Sequence, residues 1–249
     1  MRVDLLAIFG VLLGIVTIVS GHALEGGTIS MLLDTPAALI VIGGTVGAII
    51  LQTPKAQLSR AVALARWVFR PPDSTLHGAV DRMVAWAKKS RKVGLISLER
   101  EMESQPDAFV RKGLALIIDG GDPVSVRRAM EIDVSSALDS DLAAAAVFRN
   151  MGGYAPTIGI IGAVLGLMQV MSNLADPAEL GPGIATAFVA TIYGVGLANL
   201  LLLPIADRIR ALVIKQSQEK LLWLEGLMAI AEGEHPSAMK MRLSALAQP

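Results

Sequence analysis

The sequence predicts an all-α fold, a polytopic membrane protein with four transmembrane helices and a helical cytoplasmic subdomain. Three observations carry that prediction. The 249 residues are 53% hydrophobic and 18% charged, with mean hydropathy +0.57, an apolar excess that soluble domains of this size rarely show. Four windows, Leu5–Leu24, Thr35–Pro54, Asn150–Ala175 and Leu180–Ala206, contain no Asp, Glu, Lys or Arg. Each is long enough to cross roughly 30 Å of hydrocarbon as a helix of about 20 residues. Elsewhere apolar residues recur at three- and four-residue steps, and no alternating run argues for a sheet.

Segment 1–54 reads as a transmembrane hairpin. Met1-Arg2 before an apolar run resembles the start of a signal peptide, but Ser20-Gly21-His22-Ala23 is only a fair cleavage site and a second apolar span follows closely, which favours the hairpin. Segment 55–149 reads as a cytoplasmic helical subdomain. Its first helix, Lys55–Arg70, places Leu58, Val62, Ala65 and Phe69 on one stripe, and Pro71-Pro72 stops it. The next, from Leu76 to about Lys89, is capped by Ser74 or Thr75 and carries Val80, Val84 and Ala87 on one face, with Trp86 read as core. Further helices are expected at Ile96–Glu103, Ala108–Asp119 and Val124–Leu138, punctuated by Pro106 and by Gly120-Gly121-Asp122-Pro123. Segment 150–206 holds the third and fourth spans. Segment 207–249 holds an amphipathic helix, Asp207–Glu232, with Leu212, Gln216, Leu224 and Leu227 near its apolar side and a frayed end from Gly233 onward.

Charge placement sets the orientation. The links Gly21–Asp34 and Ser172–Gly183 carry Glu25, Asp34, Asp176 and Glu179 but no base, whereas fifteen bases fall in Thr53–Arg149 and six after Ala206. Lys and Arg accumulate on the cytoplasmic side, so both termini and the long segment are expected there. Overall, 22 bases balance 22 acids, and the chain lacks the positive field of a general nucleic-acid binder. It has no cysteine, and His22, His77 and His235 lie too far apart in sequence to form a local metal pair.

Inside the spans, small residues dominate the packing pattern: Gly152-Gly153, Ala155, Gly159, Gly162, Ala163 and Gly166 in the third, Gly43-Gly44 and Gly47 in the second. Such spacing lets helix backbones approach closely, within this chain or against a partner. Pro156 and Pro204 each lack an amide donor and should kink or weaken their helices, either as shape or as a hinge. The mid-span polar groups are Thr17, Thr45, Thr157, Gln169, Thr186, Thr191, Tyr193 and Asn199. None holds and releases a proton near neutral pH, so a proton-driven machine would need its carboxylate from another chain.

Two early spans, a cytoplasmic segment of about 100 residues, two late spans and a tail resemble the layout of the flagellar motor stator subunits of the MotA/PomA family, MotC-type paralogues included, within the MotA/TolQ/ExbB proton channel superfamily. The run from Gly153 to Gly166, GYAPTIGIIGAVLG, is similar to the family's third-span signature, Ala185–Gly194 and Asn199–Pro204 to its fourth, and Arg91–Glu99, RKVGLISLE, to its charged rotor-facing motif. The resemblance runs from about Asp4 to Gly233. It implies a non-enzymatic energy converter of the bacterial inner membrane without a cofactor. Five copies would surround two copies of a MotB/PomB-like single-span, peptidoglycan-binding subunit whose membrane aspartate carries the ion. Ion flow would turn the ring against the rotor protein FliG.

By the same resemblance, Arg91 and Glu99 match the family's rotor-facing charge pair, with Lys92 accessory. Read without it, they are a solvated helix end, where exposed pairs contribute only about 0–1 kcal/mol. Pro156 and Pro204 match prolines linked to coupling, and Thr191 a threonine facing the partner's aspartate. Its hydroxyl could also simply bond its own helix carbonyl four residues back. Ala163 stands where sodium-driven members resemble one another in having threonine; a methyl group offers a hard cation no oxygen, so the resemblance implies proton coupling.

Two other readings remain at this point. An ExbB/TolQ-like subunit would energise outer-membrane processes, but three spans with an external amino terminus are typical there. A four-span transporter or membrane enzyme acting alone would need an intramembrane charge or a nucleophile-base set, and only His77 and Asp81 lie at helical spacing.

Overall fold

The computed structural model describes residues 4–72, 76, 78–172 and 177–246, with the side chains of 177–179 left aside. Ser74, Thr75, His77 and Asp176, together with the side chain of Glu179, therefore lie outside the described residues. Every regular element among those described is helical, and four helices are long and apolar enough to cross a membrane. The chain divides into two compact units, 1–72 with 141–211 and 73–140 with 212–249.

The first unit holds the spans. Helix α1, Leu5–Leu24, starts where the Asp4 carboxylate accepts the Leu6 and Ala7 amides at 3.1 and 3.3 Å, satisfying donors the first turn leaves free. No residue of α1 is buried; a helix apolar all round with nothing buried is one whose solvent is hydrocarbon. The second span is built from α2, Thr35–Ala38, a wider π segment, Leu39–Gly43, and α3, Gly44–Gln52. Helix α4, Lys55–Phe69, follows and groups with the spans. Its buried stripe is Ala61, Leu64 and Val68, while Val62 and Phe69 are exposed. The expected stripe is thus offset by one position, because α4 has two adjacent apolar stripes and spacing alone does not say which one packs. Arg60 grips Asp141 through two bonds of 2.6 and 2.8 Å, and Gln57 donates to the Ala143 carbonyl at 2.7 Å. That bidentate bond holds the Arg60 guanidinium's pKa above its ordinary value.

The second unit has a soluble-type core. Helix α5, Ala79–Val93, begins after Gly78 at φ +70° rather than at Leu76, and turns Ala79, Met83, Trp86 and Ala87 inward while Val80 is only half-buried. Trp86 is core, its ring centroid 5.7 Å from that of Trp223. In place of one helix over Ile96–Glu103 there is a 3₁₀ turn, Leu95–Leu98, and a short α6, Glu99–Glu103. Helix α7, Ala108–Ile118, lies where the sequence puts it.

Helix α8, Pro123–Ser172, does not stop at Leu138; its 50 residues contribute to both units and extend about 75 Å at 1.5 Å per residue. Nothing between 139 and 149 breaks it, since that stretch has neither Gly nor Pro. Pro123 opens α8, where a missing amide costs nothing, and the Asp122 carboxylate accepts Ser125's amide and hydroxyl, which lowers its pKa. The fourth span comprises α9, Pro177–Gly196, a π segment, Leu197–Leu202, and α10, Leu203–Ala231, which continues without a break into the second unit.

From Gly233 to Leu246 the chain is not frayed. Helix α11, Pro236–Leu246, buries Met239 and Leu243 completely, and Arg242 joins Glu225 at 2.8 Å and Glu234 at 2.7 Å. Two apolar anchors one turn apart are a weak sequence signal, yet they are enough to dock a short helix on a core already formed.

Candidate functional site

Four of the predicted site residues lie in the first unit, on α8, α9 and α10. Helices α8 and α9 run antiparallel and meet through residues that lack side chains. A Cβ on Gly159 would stand 2.9 Å from the Ala190 carbonyl oxygen, one on Gly166 2.9 Å from the Gly183 carbonyl oxygen, and one on Gly194 2.6 Å from that of Ala155. The obstacles are backbone atoms, so only glycine permits this approach. Gly44 instead packs on the Ile158 side chain, whose Cγ2 would stand 2.9 Å from an added Cβ, whereas Gly43, Gly47 and Gly153 have open space beside them.

Pro156 sits inside this seam, its Cα 3.2 Å from the Cβ position of Gly194. The α-helix is unbroken through it. Pro204 behaves differently, because it is the second residue of α10, two after the π segment Leu197–Leu202 ends. Its ring excludes the carbonyl four residues back, and a widened turn is the usual relief. Gly152, one turn before Pro156, packs against Leu202 and Leu203, so the two prolines lie about one turn apart along α8.

Ala163 and Thr191 each follow a residue of the Gly162–Ala190 contact, where a Cβ on Gly162 would meet that of Ala190 at 2.8 Å. They therefore lie within about one turn of the same depth, and both are half-buried. Ala163 brings no oxygen. Thr191 Oγ1 donates to the Ala187 carbonyl at 3.2 Å, which is the local role its sequence also allowed, and the donor still keeps oxygen lone pairs for a further group. Thr191 borders a cleft with Ile18, His22, Leu32, Val195 and Asn199.

Four of the other mid-span polar groups are satisfied by their own helices. Thr17 donates to Leu13 at 2.7 Å, Thr45 to Val41 at 2.6 Å, Thr157 to Tyr154 at 2.8 Å and Asn199 to Val195 at 2.9 Å. Thr186 and Tyr193 instead reach the start of the second span. Thr186 donates to Asp34 Oδ2 at 2.6 Å, Asp34 Oδ1 accepts the Ala37 amide at 2.8 Å, the Asp34 amide donates to Tyr193 Oη at 3.2 Å, and Tyr193 donates to the Leu32 carbonyl at 2.5 Å. This brace between the second and fourth spans escaped sequence reasoning because its partners are about 150 residues apart; the one signal was an Asp immediately before a span, at a helix start.

Arg91, Lys92 and Glu99 lie in the second unit, and all three are exposed. Arg91 and Lys92 form the last turn of α5, and Glu99 opens α6. Arg91 donates to the Gly233 carbonyl at 3.2 Å, beyond the end of α10, a favourable place for a cation. Among the described residues, Arg91 and Glu99 do not pair. The ion pair that braces this turn is Lys89 with Glu101 at 2.8 Å, a bond that lowers the Glu101 pKa. Asp81, four residues after His77 in sequence, pairs with Lys240 at 3.0 Å.

Residues 8–93 match the Motility protein A N-terminal family and residues 101–220 the MotA/TolQ/ExbB proton channel family. Motility protein A of Bacillus subtilis strain 168 is 31% identical over 96% of this chain and 89% of its own length. Chemotaxis protein PomA of Vibrio alginolyticus is 32% identical over 94% of this chain and 91% of its own. The flagellar MotAB stator complex from Bacillus subtilis contains a chain that superposes with TM-score 0.89 at 30% identity, covering 97% of this chain and 95% of that one. TolQ and ExbB enter only through the broader family, and these are channel subunits, not an enzyme family. The chain is a member of the MotA/PomA family of flagellar stator ion-channel subunits.

Proposed function

We propose that this chain forms the rotating ring of a proton-driven stator in the bacterial inner membrane, five copies around two of a MotB-like single-span partner, with both termini cytoplasmic. One observation carries the reading: the four spans contain no Asp, Glu, Lys or Arg, their one histidine, His22, stands in the last turn of α1, and the hydroxyls and amide of Thr17, Thr45, Thr157, Thr191 and Asn199 are engaged with their own helices. A channel subunit so built conducts by supplying walls and motion, and the proton-carrying carboxylate comes from the partner. Pro156 and Pro204 would transmit its protonation to the helices, and Thr191 would offer it lone pairs at the depth of Ala163. Arg91, Lys92 and Glu99 would meet the rotor protein FliG.

Purification with the partner tests the assembly, with a copy ratio of 5:2 expected by native mass spectrometry. Replacing external sodium by potassium at constant pH leaves swimming unchanged if protons drive the ring; sodium-dependent swimming refutes the coupling assigned through Ala163. Charge reversal at Arg91 and Glu99 is expected to stop torque while the complex still co-purifies.

A further inference from the structure

We propose that Val93 and Ile96 form the apolar centre of the surface that meets the rotor, inside a rim of Arg91, Lys92 and Glu99; this rests on the rotor-facing reading of those charges. Val93 is 73% exposed and Ile96 70%, an unfavourable arrangement in water for aliphatic side chains three residues apart. The turn that carries them is held firmly from beneath. Leu98 is fully buried and Leu95 packs on the same core, so the 3₁₀ turn points two residues in and holds its others outward. Gly94, at φ +93°, donates to the Ser90 carbonyl at 2.7 Å, Ser97 Oγ donates back to the Gly94 carbonyl at 2.6 Å, and Lys89 with Glu101 closes the base. The exposed pair is therefore pre-set, and binding there orders little further chain.

Two other large apolar side chains of this unit, Val124 and Met241, are as exposed, but the charges beside them are used within the chain: Asp122 on Ser125, Lys240 on Asp81, and Arg242 on Glu225 and Glu234. Along the chain Arg91 and Lys92 precede Val93 and Ile96, and Glu99 follows them; Arg91 donates to the Gly233 carbonyl, and none of the three forms an ion pair among the described residues. An apolar patch inside such a polar rim has the anatomy of a specific protein interface, with aliphatic contacts giving residence and rim charges giving register. The partner it fits offers an aliphatic side chain flanked by a carboxylate facing Arg91 and Lys92 and a cation facing Glu99.

The test uses the full chain with its membrane partner in motile cells, reading torque on an attached bead and the dwell time of labelled stators at the motor. Val93→Ser with Ile96→Ser is expected to shorten dwell time about tenfold, with co-purification of the partner unchanged; Val93→Ile with Ile96→Leu keeps both readouts. Should the double serine variant lose the partner, Val93→Thr, which keeps the shape, is read instead with the same direction expected. Wild-type dwell time and torque in the serine variant, alongside loss of torque on charge reversal at Arg91 and Glu99, overturns the apolar centre and leaves the rotor site standing. Wild-type torque after charge reversal removes the rotor reading itself, and this inference with it.

Discussion

The two units solve the same packing problem with opposite side chains. Of the twelve largest fully buried side chains among the described residues, ten lie in 73–140 and 212–249, among them Trp223, Met83, Met130 and Met228; the other two, Leu64 and Ile209, lie outside the four charge-free windows. Within those windows the close contacts are made by glycines, while Phe9, Leu12, Ile160, Leu167 and Phe188 point outward. The difference follows from the solvent. Water drives large apolar groups inward and makes volume the source of stability. Hydrocarbon is as apolar as leucine, so helices there gain only from contact, and the backbone that approaches nearest gains most.

If volume holds the second unit, removing it there gives the largest effect. Trp223 is 1% exposed, lies against Trp86 and has the Arg82 guanidinium 5.1 Å over its ring. Trp223→Ala is expected to cost about 3–5 kcal/mol, enough to unfold a marginal unit and expose it to protease, while the spans still insert. Limited proteolysis in membranes distinguishes the two units; equal protection of both would break the comparison.

Adding volume gives the next effect, and it should sort by unit. Gly194→Ala puts a methyl 2.6 Å from the Ala155 carbonyl oxygen and 3.2 Å from the Pro156 Cα, all backbone, so α8 and α9 must part. The expected cost is about 1–3 kcal/mol, seen as a lower melting temperature of the detergent-solubilised protein. Gly226→Ala, in the second unit, meets only the Met83 side chain, at Sδ first, and a thioether can swing aside. Despite the shorter nominal contact it is expected to be the milder change. A larger loss at Gly226 than at Gly194 would show that rigidity of the obstacle is not what decides.

The same division explains what could be read from the sequence. The spans were legible because hydrocarbon forbids charge outright, so Leu5–Leu24 matches α1 residue for residue, and the glycine spacing of the third span marks the α8–α9 seam. In water the rule is graded. Both stripes of α4 are apolar enough to pack, Met239 and Leu243 give α11 too little signal to stand out from a tail, and Pro123–Ser172 joins two stretches whose periodicity looks separable. Of the site, the positions of Arg91, Lys92, Glu99, Pro156, Ala163, Thr191 and Pro204 came from motif order. The Asp34–Thr186–Tyr193 brace and the outward Val93 and Ile96 did not, since each depends on which way a side chain turns after the chain has folded.

The smallest effect expected sharpens the account of the water-exposed side. Glu225 accepts Arg127 at 2.5 Å and Arg242 at 2.8 Å, and the bond from Arg127, followed by that from Arg242, holds its carboxyl below the ordinary carboxylate range against the opposing effect of burial. A depressed folded-state pKa means that the unfolded chain binds the proton first. The pair therefore stabilises above the ordinary glutamate pKa near 4.5, and that contribution fades as pH falls through the lower folded value. The charges are partly solvated, so the total is about 1 kcal/mol. The protection of α11 amides, taken relative to the intrinsic exchange rate at each pH, should be high at pH 7 and lower near pH 4, whereas in Glu225→Gln it should be lower at pH 7 and change little on acidification. The glycine contacts of α8 and α9 involve no titrating group, and their protection relative to the intrinsic rate should not follow pH in either protein. Acid-dependent opening there would mean that charge, not backbone contact, holds the spans together.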